Sequence, residues 1–519
     1  MNSTQTFKNV ESFLFSITGI TAIITLAGPV GIREWSASLL LSCLVAQFIY
    51  TSVQRELAPE LRKGNRRYLP FLNTLILSFY FMVIILSLNL FVRKQSFHFV
   101  LSILISMLID SCIYYLFLAL LLPLLRRSIS ARTCALLWLL PTTLTFFHFY
   151  GIMRRTPLYV ISIPSSLAKT LCTIWLTGFA TILLWKVLSH LQFRHFVLKD
   201  ATPVEEPEIL ALWQQVCKEA NMECIPLLFR SPNVKTPLSM GFFFRDIRVV
   251  LPQLHYSPDD LSLILRHELV HIMRFDSGNK FFLTFCSALG WFNPLMWLAM
   301  RSSADDLELS CDETVLMGAD EGQRQQYASL LLHTAGNQRG FTTCLSTSAS
   351  ALRYRLRSVV TPSRRFVGGL LAGAMTLVLF VISGYVTLSY QQGSGQELIF
   401  PLGSEECQVS HVLDLRFNQR YAHADSQAIL DYLAQLPLEQ IVGSYSMKPA
   451  GCSYEVGSEY LEFFISGSDE DLLLTLSPLG LTVVERYSSR FDLQATYLVQ
   501  ETVDWDYLES LLGTETGWQ

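Results

Sequence analysis

His267-Glu268-Leu269-Val270-His271 sets two imidazoles four residues apart, with a carboxylate between them. On a helix, positions i and i+4 share a face, so His267 and His271 can present nitrogen to one metal ion from the same side. Glu268 then stands where it can take a proton from water polarised by that ion. With 10 histidines and 43 acidic residues in 519, chance supplies this pattern roughly 0.016 times. The plainer alternative is a pair of ordinary helix histidines. The chemistry that fits the spacing is peptide-bond hydrolysis at zinc, with Glu268 as general base.

A catalytic zinc site needs a third protein ligand and keeps one position open. Glu308-Leu309-Ser310-Cys311-Asp312 offers an ExxxD pattern downstream. Asn293-Pro294 is a helix start, with Asn as N-cap and Pro at the first helical position, and predicts a helix over about 294–318. Glu308 and Asp312 then share a face: Glu308 as third ligand, and Asp312 as acceptor for the free imidazole N–H of a ligand histidine. The alternative is a solvated acidic face, since Asp305, Asp306 and Glu313 lie close by. Asp276 is a weaker candidate for the same supporting role. Cys311 reads as a small core residue. Tyr327, His333 and Arg274 are candidates to steady an oxyanion, although each reads more simply as structural.

The positioning elements follow from local pattern. Leu261 to about Phe275 reads as the motif helix. Ala211–Ala220 reads as a helix, and Ile225–Arg230, Pro237–Phe242 and Asp246–Leu251 as short strands. Together they make a compact α+β domain. Arg248-Val249-Val250-Leu251 is either a core strand or an exposed edge able to hold an extended peptide.

Composition sets these elements in a membrane. The chain is 51% hydrophobic and 16% charged, too apolar for an ordinary soluble enzyme. Apolar runs at about 12–32, 35–54, 69–92, 97–125, 133–151, 159–188 and 367–390 each reach the roughly 20 residues a helix needs to span a bilayer. Asp110, inside one run, is a functional candidate by its position. Arginine clusters at 55–67, 126–132 and 353–365 fall on one side if the N-terminus is cytoplasmic, although Arg93-Lys94 and Arg154-Arg155 oppose the rule. The segment 189–366 is then cytoplasmic and the tail beyond about 391 external. The tail carries 5 basic and 20 acidic residues, a net −15, and the remainder +11. The basic clusters adjoin apolar runs and carry no recognition motif, so no nucleic-acid partner is expected. Phe281–Met300 is also apolar, but as a span it would part Glu308 from the histidines by about 30 Å. Gly290 and Asn293-Pro294 instead predict a buried hairpin.

Ser231-Pro232-Asn233-Val234-Lys235-Thr236-Pro237, Val249-Val250-Leu251-Pro252, His267 to Asp276, Trp291-Phe292-Asn293-Pro294 and Glu308 to Asp312 resemble the BlaR/MecR family of membrane-embedded zinc metallopeptidases. The resemblance covers about 190–365 and is specific in order and spacing. It implies zinc held by His267, His271 and Glu308, and Glu268 as general base. It also implies a bacterial plasma membrane, external sensing, and internal proteolysis of the chain itself or of a transcriptional repressor. The tail departs from the antibiotic-sensing members. Its only lysine, Lys448, has Tyr445 three residues before it, so the Ser-x-x-Lys nucleophile motif of a penicillin-binding sensor is absent.

The expected protein is therefore a multi-span α-helical membrane protein with a gluzincin-like α+β zinc peptidase domain and a small external α+β domain. Its parts are a membrane domain of about six spans (1–190), the protease domain (191–365), a final transmembrane helix (366–390) and an acidic sensor-like tail (391–519). Two other readings stand beside it. One is a housekeeping membrane zinc peptidase resembling prenyl-protein-processing endopeptidases, and the other a receptor with a structural metal site. In the tail, a helix is expected at Ser426–Gln435 and strands near Tyr460–Ile465, Leu472–Leu476, Leu481–Tyr487 and Leu493–Val499. Cys407 and Cys452 are its only cysteines, a possible disulfide.

Overall fold

The computed structural model describes residues 3–27, 30–57, 96–126, 128–148, 159–220, 222, 224–241, 246–336, 349–361, 368–382, 386–400, 406–414, 417, 419–421, 424–441, 461–467, 471–476, 481–487 and 492–512. The apolar run at 69–92 and Cys452 lie outside these residues, and with them one expected span and the expected disulfide.

Among the described residues, the first helices are α1 (Ser3–Ala27), α2 (Val30–Leu57), α3 (Ser96–Leu125) and α4 (Ala131–His148). A strand β1 (Tyr159–Ser162) precedes the 35-residue helix α5 (Ser165–Lys199). Among the described residues, Leu108–Leu125 and Thr170–Lys199 are helical stretches long and apolar enough to cross a bilayer, and shorter apolar stretches occur at Glu11–Ile24, Leu39–Thr51, Ala131–Pro141 and Gly369–Leu379.

The protease region begins with β2 (Thr202–Pro203), α6 (Pro207–Glu219), β3 (Leu227–Ser231), β4 (Leu238–Met240) and β5 (Arg248–Pro252). The sheet order is β2-β3-β5-β4. Strand β5 is interior, parallel to β3 and antiparallel to β4, with Val249 and Val250 fully buried. The exposed-edge reading of 248–251 is thereby corrected. Its continuous apolar run is what a strand covered on both sides requires.

Helix α7 (Pro258–Arg274) carries the motif. Ser257 caps it by accepting from the Asp260 amide, Pro258 opens it, and Asp259 and Asp260 suit the positive end of its dipole. Leu261, Ile264, Leu265, Leu269 and Ile272 recur at helical spacing and pack with Trp213, Val216, Cys217, Val249 and Leu251. That core fixes the helix rotation, which turns His267 and His271 away from the sheet.

The apolar stretch 281–300 folds as the expected hairpin, α8 (Asp276–Leu289) and α9 (Pro294–Val315). Asn293 caps α9 by accepting from the amides of Leu295 and Met296. Phe282, Phe285, Met296 and Met300 join Tyr115, Leu118, Trp138 and Phe179 in one core, so the hairpin is embedded in the helical bundle. At its tip, the Trp291 ring lies where a Cβ on Gly178 of α5 would sit, 2.5 Å away, so only glycine admits it. Helices α10 (Glu321–Gly336) and α11 (Ala349–Val360) close over the site through Leu316, Tyr327, Leu331 and Val359.

The last apolar run differs from the expected 366–390 span. Helix α12 (Gly369–Ile382) has only 14 residues, and strand β6 (Val386–Ser394) takes over at Val386. Its 14 residues rise about 21 Å, so carrying the chain across a roughly 30 Å hydrocarbon core also takes residues that flank the helix. The β-favouring residues Val386-Thr387-Leu388-Ser389 are recruited by pairing with strands on either side. Helix α12 packs on α2 by glycine: a Cβ on Gly369 would lie 2.8 Å from Ala46 O, and one on Gly373 2.9 Å from Ser42 O.

The tail adds α13 (Gly395–Leu398), β7 (Gln408–Asp414), β8 (Gln419–Tyr421), α14 (Ser426–Gln435), β9 (Pro437–Ile441), β10 (Leu461–Ser466), β11 (Asp471–Leu476), β12 (Leu481–Tyr487), β13 (Asp492–Val499) and α15 (Trp505–Ser510). Its sheet order is β1-β6-β9-β13-β12-β11-β10-β7-β8. The strand β1 before α5 thus lies parallel to β6, at the edge of the tail's own sheet. Buried Glu439 of β9 accepts from the hydroxyls of Ser162 and Ser389 there, knotting the three strands.

Candidate active site

Nε2 of His267 and Nε2 of His271 stand 3.2 Å apart. One oxygen of Glu308, on α9, lies 3.8 Å from the first and 3.6 Å from the second. The other oxygen pairs with Lys280 Nζ at 3.0 Å. Two nitrogens and one oxygen therefore converge as a triangle. Donors bound tetrahedrally at about 2.0–2.2 Å sit roughly 3.3–3.6 Å from one another, so the triangle has the size of one zinc ion's coordination face. Glu268 is buried on the same turn of α7. Burial pushes the Glu308 carboxyl up, but Lys280 and His271 outweigh it and hold the carboxyl well below the usual range.

Each imidazole is oriented from behind. His271 Nδ1 lies 2.7 Å from Asp276 Oδ2, and Asn279 donates to the other oxygen of Asp276 at 2.9 Å. A chain reversal makes this contact: Phe275, between α7 and α8, has φ 58° and is the one non-glycine residue with positive φ among the described residues. A bulky side chain there is strained. The strain delivers Asp276 back against the helix it has just left. Gly278 makes room, since a Cβ on it would fall 2.3 Å from the Phe275 ring.

His267 is held by a different device. Tyr327 of α10 lies 2.8 Å from His267 Nδ1 and donates its hydroxyl to Asp312 Oδ1 at 2.7 Å. Asp312 itself is 3.6 Å from His267 Nδ1, so its expected role as direct acceptor is replaced by action through Tyr327. Arg355 of α11 grips Asp312 with two bonds of 2.6 and 2.7 Å. Cys311 is also nearer than its helical phase suggested, with Sγ 3.4 Å from His267 Nδ1 and donating weakly to His267 O. His267, His271 and Cys311 form the one group of three close metal-ligating side chains picked out by proximity among the described residues.

Sequence reasoning set Asp276 and Tyr327 low and gave Arg355 no site role. The i+5 spacing of Asp276 from His271 does not share a helical face, so only the Phe275 reversal brings it into contact. Tyr327 lies 60 residues from His267 and Arg355 43 from Asp312, and neither separation carries a local signal. Arg274, weighed as an oxyanion group, is fully buried and donates to Ser310 and Thr314, away from the triangle.

Two other acids of α9 serve the bundle. Asp306 is completely buried and accepts from Arg126 at 2.9 Å and from Trp138 at 3.3 Å. Glu313 accepts from the Ala131 amide. Arg126, read from sequence as interfacial charge, thus lies against the helix that carries Glu308. Asp306→Ala would leave Arg126 without this partner at the bundle core, so we expect a loss of about 3 kcal/mol. The measurement is the melting temperature in detergent, with Asp305→Ala unchanged beside it.

With this geometry in place, the relatives become informative. The family described as BlaR1 peptidase M56 matches residues 154–359, a range that contains every residue of the triangle and its supports. Residues 154–359 are thus similar to a BlaR1-type peptidase domain. The regulatory protein BlaR1 of Bacillus licheniformis is 29% identical over 194 residues, 36% of this chain. The match spans 31% of that relative's length.

Proposed function

We propose that this chain is a membrane-embedded zinc metalloendopeptidase that turns an external signal into cleavage of itself or of a cytoplasmic regulator. The observation that carries the reading is the triangle of His267 Nε2, His271 Nε2 and Glu308 Oε2, with Glu268 on the same turn. Those three residues hold the metal. The donor chemistry fits zinc: both imidazoles point Nε2 inward and use Nδ1 for a partner, which leaves a lone pair facing the ion. Cys311 lies on the Nδ1 side of His267, where the N–H is already engaged. That placement favours an open three-ligand site over a closed structural one.

Zinc, when bound, supplies a Lewis acid that acidifies water and polarises a peptide carbonyl. Glu268 takes the proton from the attacking water and returns it to the departing amine. Asp276 fixes the His271 tautomer, and Lys280 keeps one Glu308 oxygen occupied so that the other alone faces the histidines.

The placement is a bacterial plasma membrane, crossed several times, with the protease cytoplasmic and the tail external. Two contacts support it. Strand β1, in the loop before α5, sits in the tail's sheet, as a shared outer side requires. Helix α5 then runs for about 52 Å before β2 opens the protease region. At the other face, Arg126 meets Asp306, so the arginine-rich turn and the protease helices share a side. Cysteine labelling with an impermeant reagent on intact cells should therefore reach positions after about 400 and none at 200–360. The reverse pattern would overturn the sensor role of the tail.

The cleavage claim is tested with the purified full chain in lipid vesicles, incubated alone and with a disordered protein substrate. Fragments should appear, stop with 1,10-phenanthroline and return on adding zinc. Fragmentation indifferent to the chelator would refute it. Gly278→Ala is expected to slow cleavage as well as cost about 1–3 kcal/mol of stability, since Phe275 must move and Asp276 with it. Unchanged zinc retention and rate in that variant would separate the reversal from the site.

A further inference from the structure

We infer that Arg355 is a positioning residue of the metal site, acting on both Glu308 and His267 from outside the motif helices. The inference rests on the zinc reading above. Arg355 belongs to α11, a helix that contributes no metal-binding side chain, yet its guanidinium makes two parallel bonds to Asp312 at 2.6 and 2.7 Å. Its NH1 lies 3.7 Å from Glu308 Oε2, the oxygen that faces the histidines. One planar fork thus touches the supporting carboxylate and stands beside the ligand carboxylate. Arginine suits this because its donors are fixed in one plane.

The contact continues to the imidazole. Asp312, held by Arg355, has one oxygen available to Tyr327, and the Tyr327 hydroxyl, having donated to Asp312, can only accept from His267 Nδ1–H. That sets the His267 tautomer with the Nε2 lone pair toward the ion. Without the fork, Asp312 loses both of these bonds at a buried position, its side chain 1% exposed, and is free to turn. That change lets Tyr327 reverse its donor and removes the constraint on His267. The seat of α11 is itself fixed, because Arg324 donates to Val359 O, Leu316 O and Ala319 O and ties α11 to both ends of the α9–α10 turn. In sequence, α11 is the last helix before α12 and the tail, so this support enters the site from the chain that leads to the external domain.

The test is zinc affinity of the full chain in detergent, measured by chelator competition, for Arg355→Gln, Tyr327→Phe and the double variant. Loss of an outer partner typically weakens metal binding by about 10–100-fold. We expect such a loss in each single variant, and a double variant no weaker than the worse single one, because both act through His267. Arg355→Lys keeps the charge but not the fork and should remain as weak as Arg355→Gln; it also serves if Arg355→Gln does not fold. A lowered melting temperature with wild-type zinc affinity would make Arg355 merely structural and overturn the inference, as would losses that multiply in the double variant. A wild-type chain that binds no zinc would overturn the reading of the site itself, a different result.

Discussion

Glu268→Gln is expected to purify with a full complement of zinc and to cleave neither itself nor an added protein. The substitution keeps the size and a carbonyl oxygen but removes the one group able to accept the proton of the attacking water. Glu268 lies between the two histidines in sequence and is buried beside them, yet it is absent from the triangle of metal-facing donors. General-base catalysis contributes about 10²–10⁴-fold, so the rate should fall at least that far while metal content stays level. Fragment appearance on gels, followed against zinc per chain by elemental analysis, separates the two. A variant that cleaves at the normal rate would mean that another group takes the proton.

The second large effect falls on Glu308. Among the described residues, its Oε2 is the one carboxylate oxygen within 4 Å of both Nε2 atoms. Glu308→Ala should lose more than the ~10–100-fold in affinity that removal of an outer partner costs, and activity with it. Asp305→Ala is the matched control, because Asp305 touches neither histidine. Asp306→Ala is not a clean control, since its buried bond to Arg126 couples it to stability. Full zinc occupancy in Glu308→Ala would move the third ligand to Cys311, the remaining close donor.

The converging residues His267, His271 and Glu308 were legible because helix geometry makes their spacing a local signal. HExxH on one helix and ExxxD on the second helix after it need no knowledge of the fold beyond the hairpin that brings them together, and Gly290 with Asn293-Pro294 announces that hairpin. The residues behind them were not legible. Asp276 depends on a left-handed Phe275, a conformation that no aromatic residue advertises. Tyr327 and Arg355 arrive from helices 60 and 43 residues away from their partners. Arg355 was also hidden by its company, for in a run of five arginines charge alone reads as a membrane-proximal cluster. The same limit governed the ends of the apolar runs. Hydropathy alone cannot tell an apolar helix from an apolar strand, and Tyr159–Ser162 and Val386–Tyr390 were therefore counted into spans although 159–162 pair with 386–389. The tail's helix and four later strands followed from local pattern, whereas β7 and β9 bury polar residues, Asp414, Glu439 and Gln440, that mask them as strands.

The central claim is that His267, His271 and Glu308 hold one zinc ion open to substrate. Its most direct test is metal analysis of the purified full chain beside the His267→Ala/His271→Ala variant, each assayed for cleavage in the same preparation. About one zinc per chain in the wild type, near none in the variant, and cleavage only where zinc is present is the predicted result. Equal zinc in both proteins, or undiminished cleavage by the variant, would contradict it.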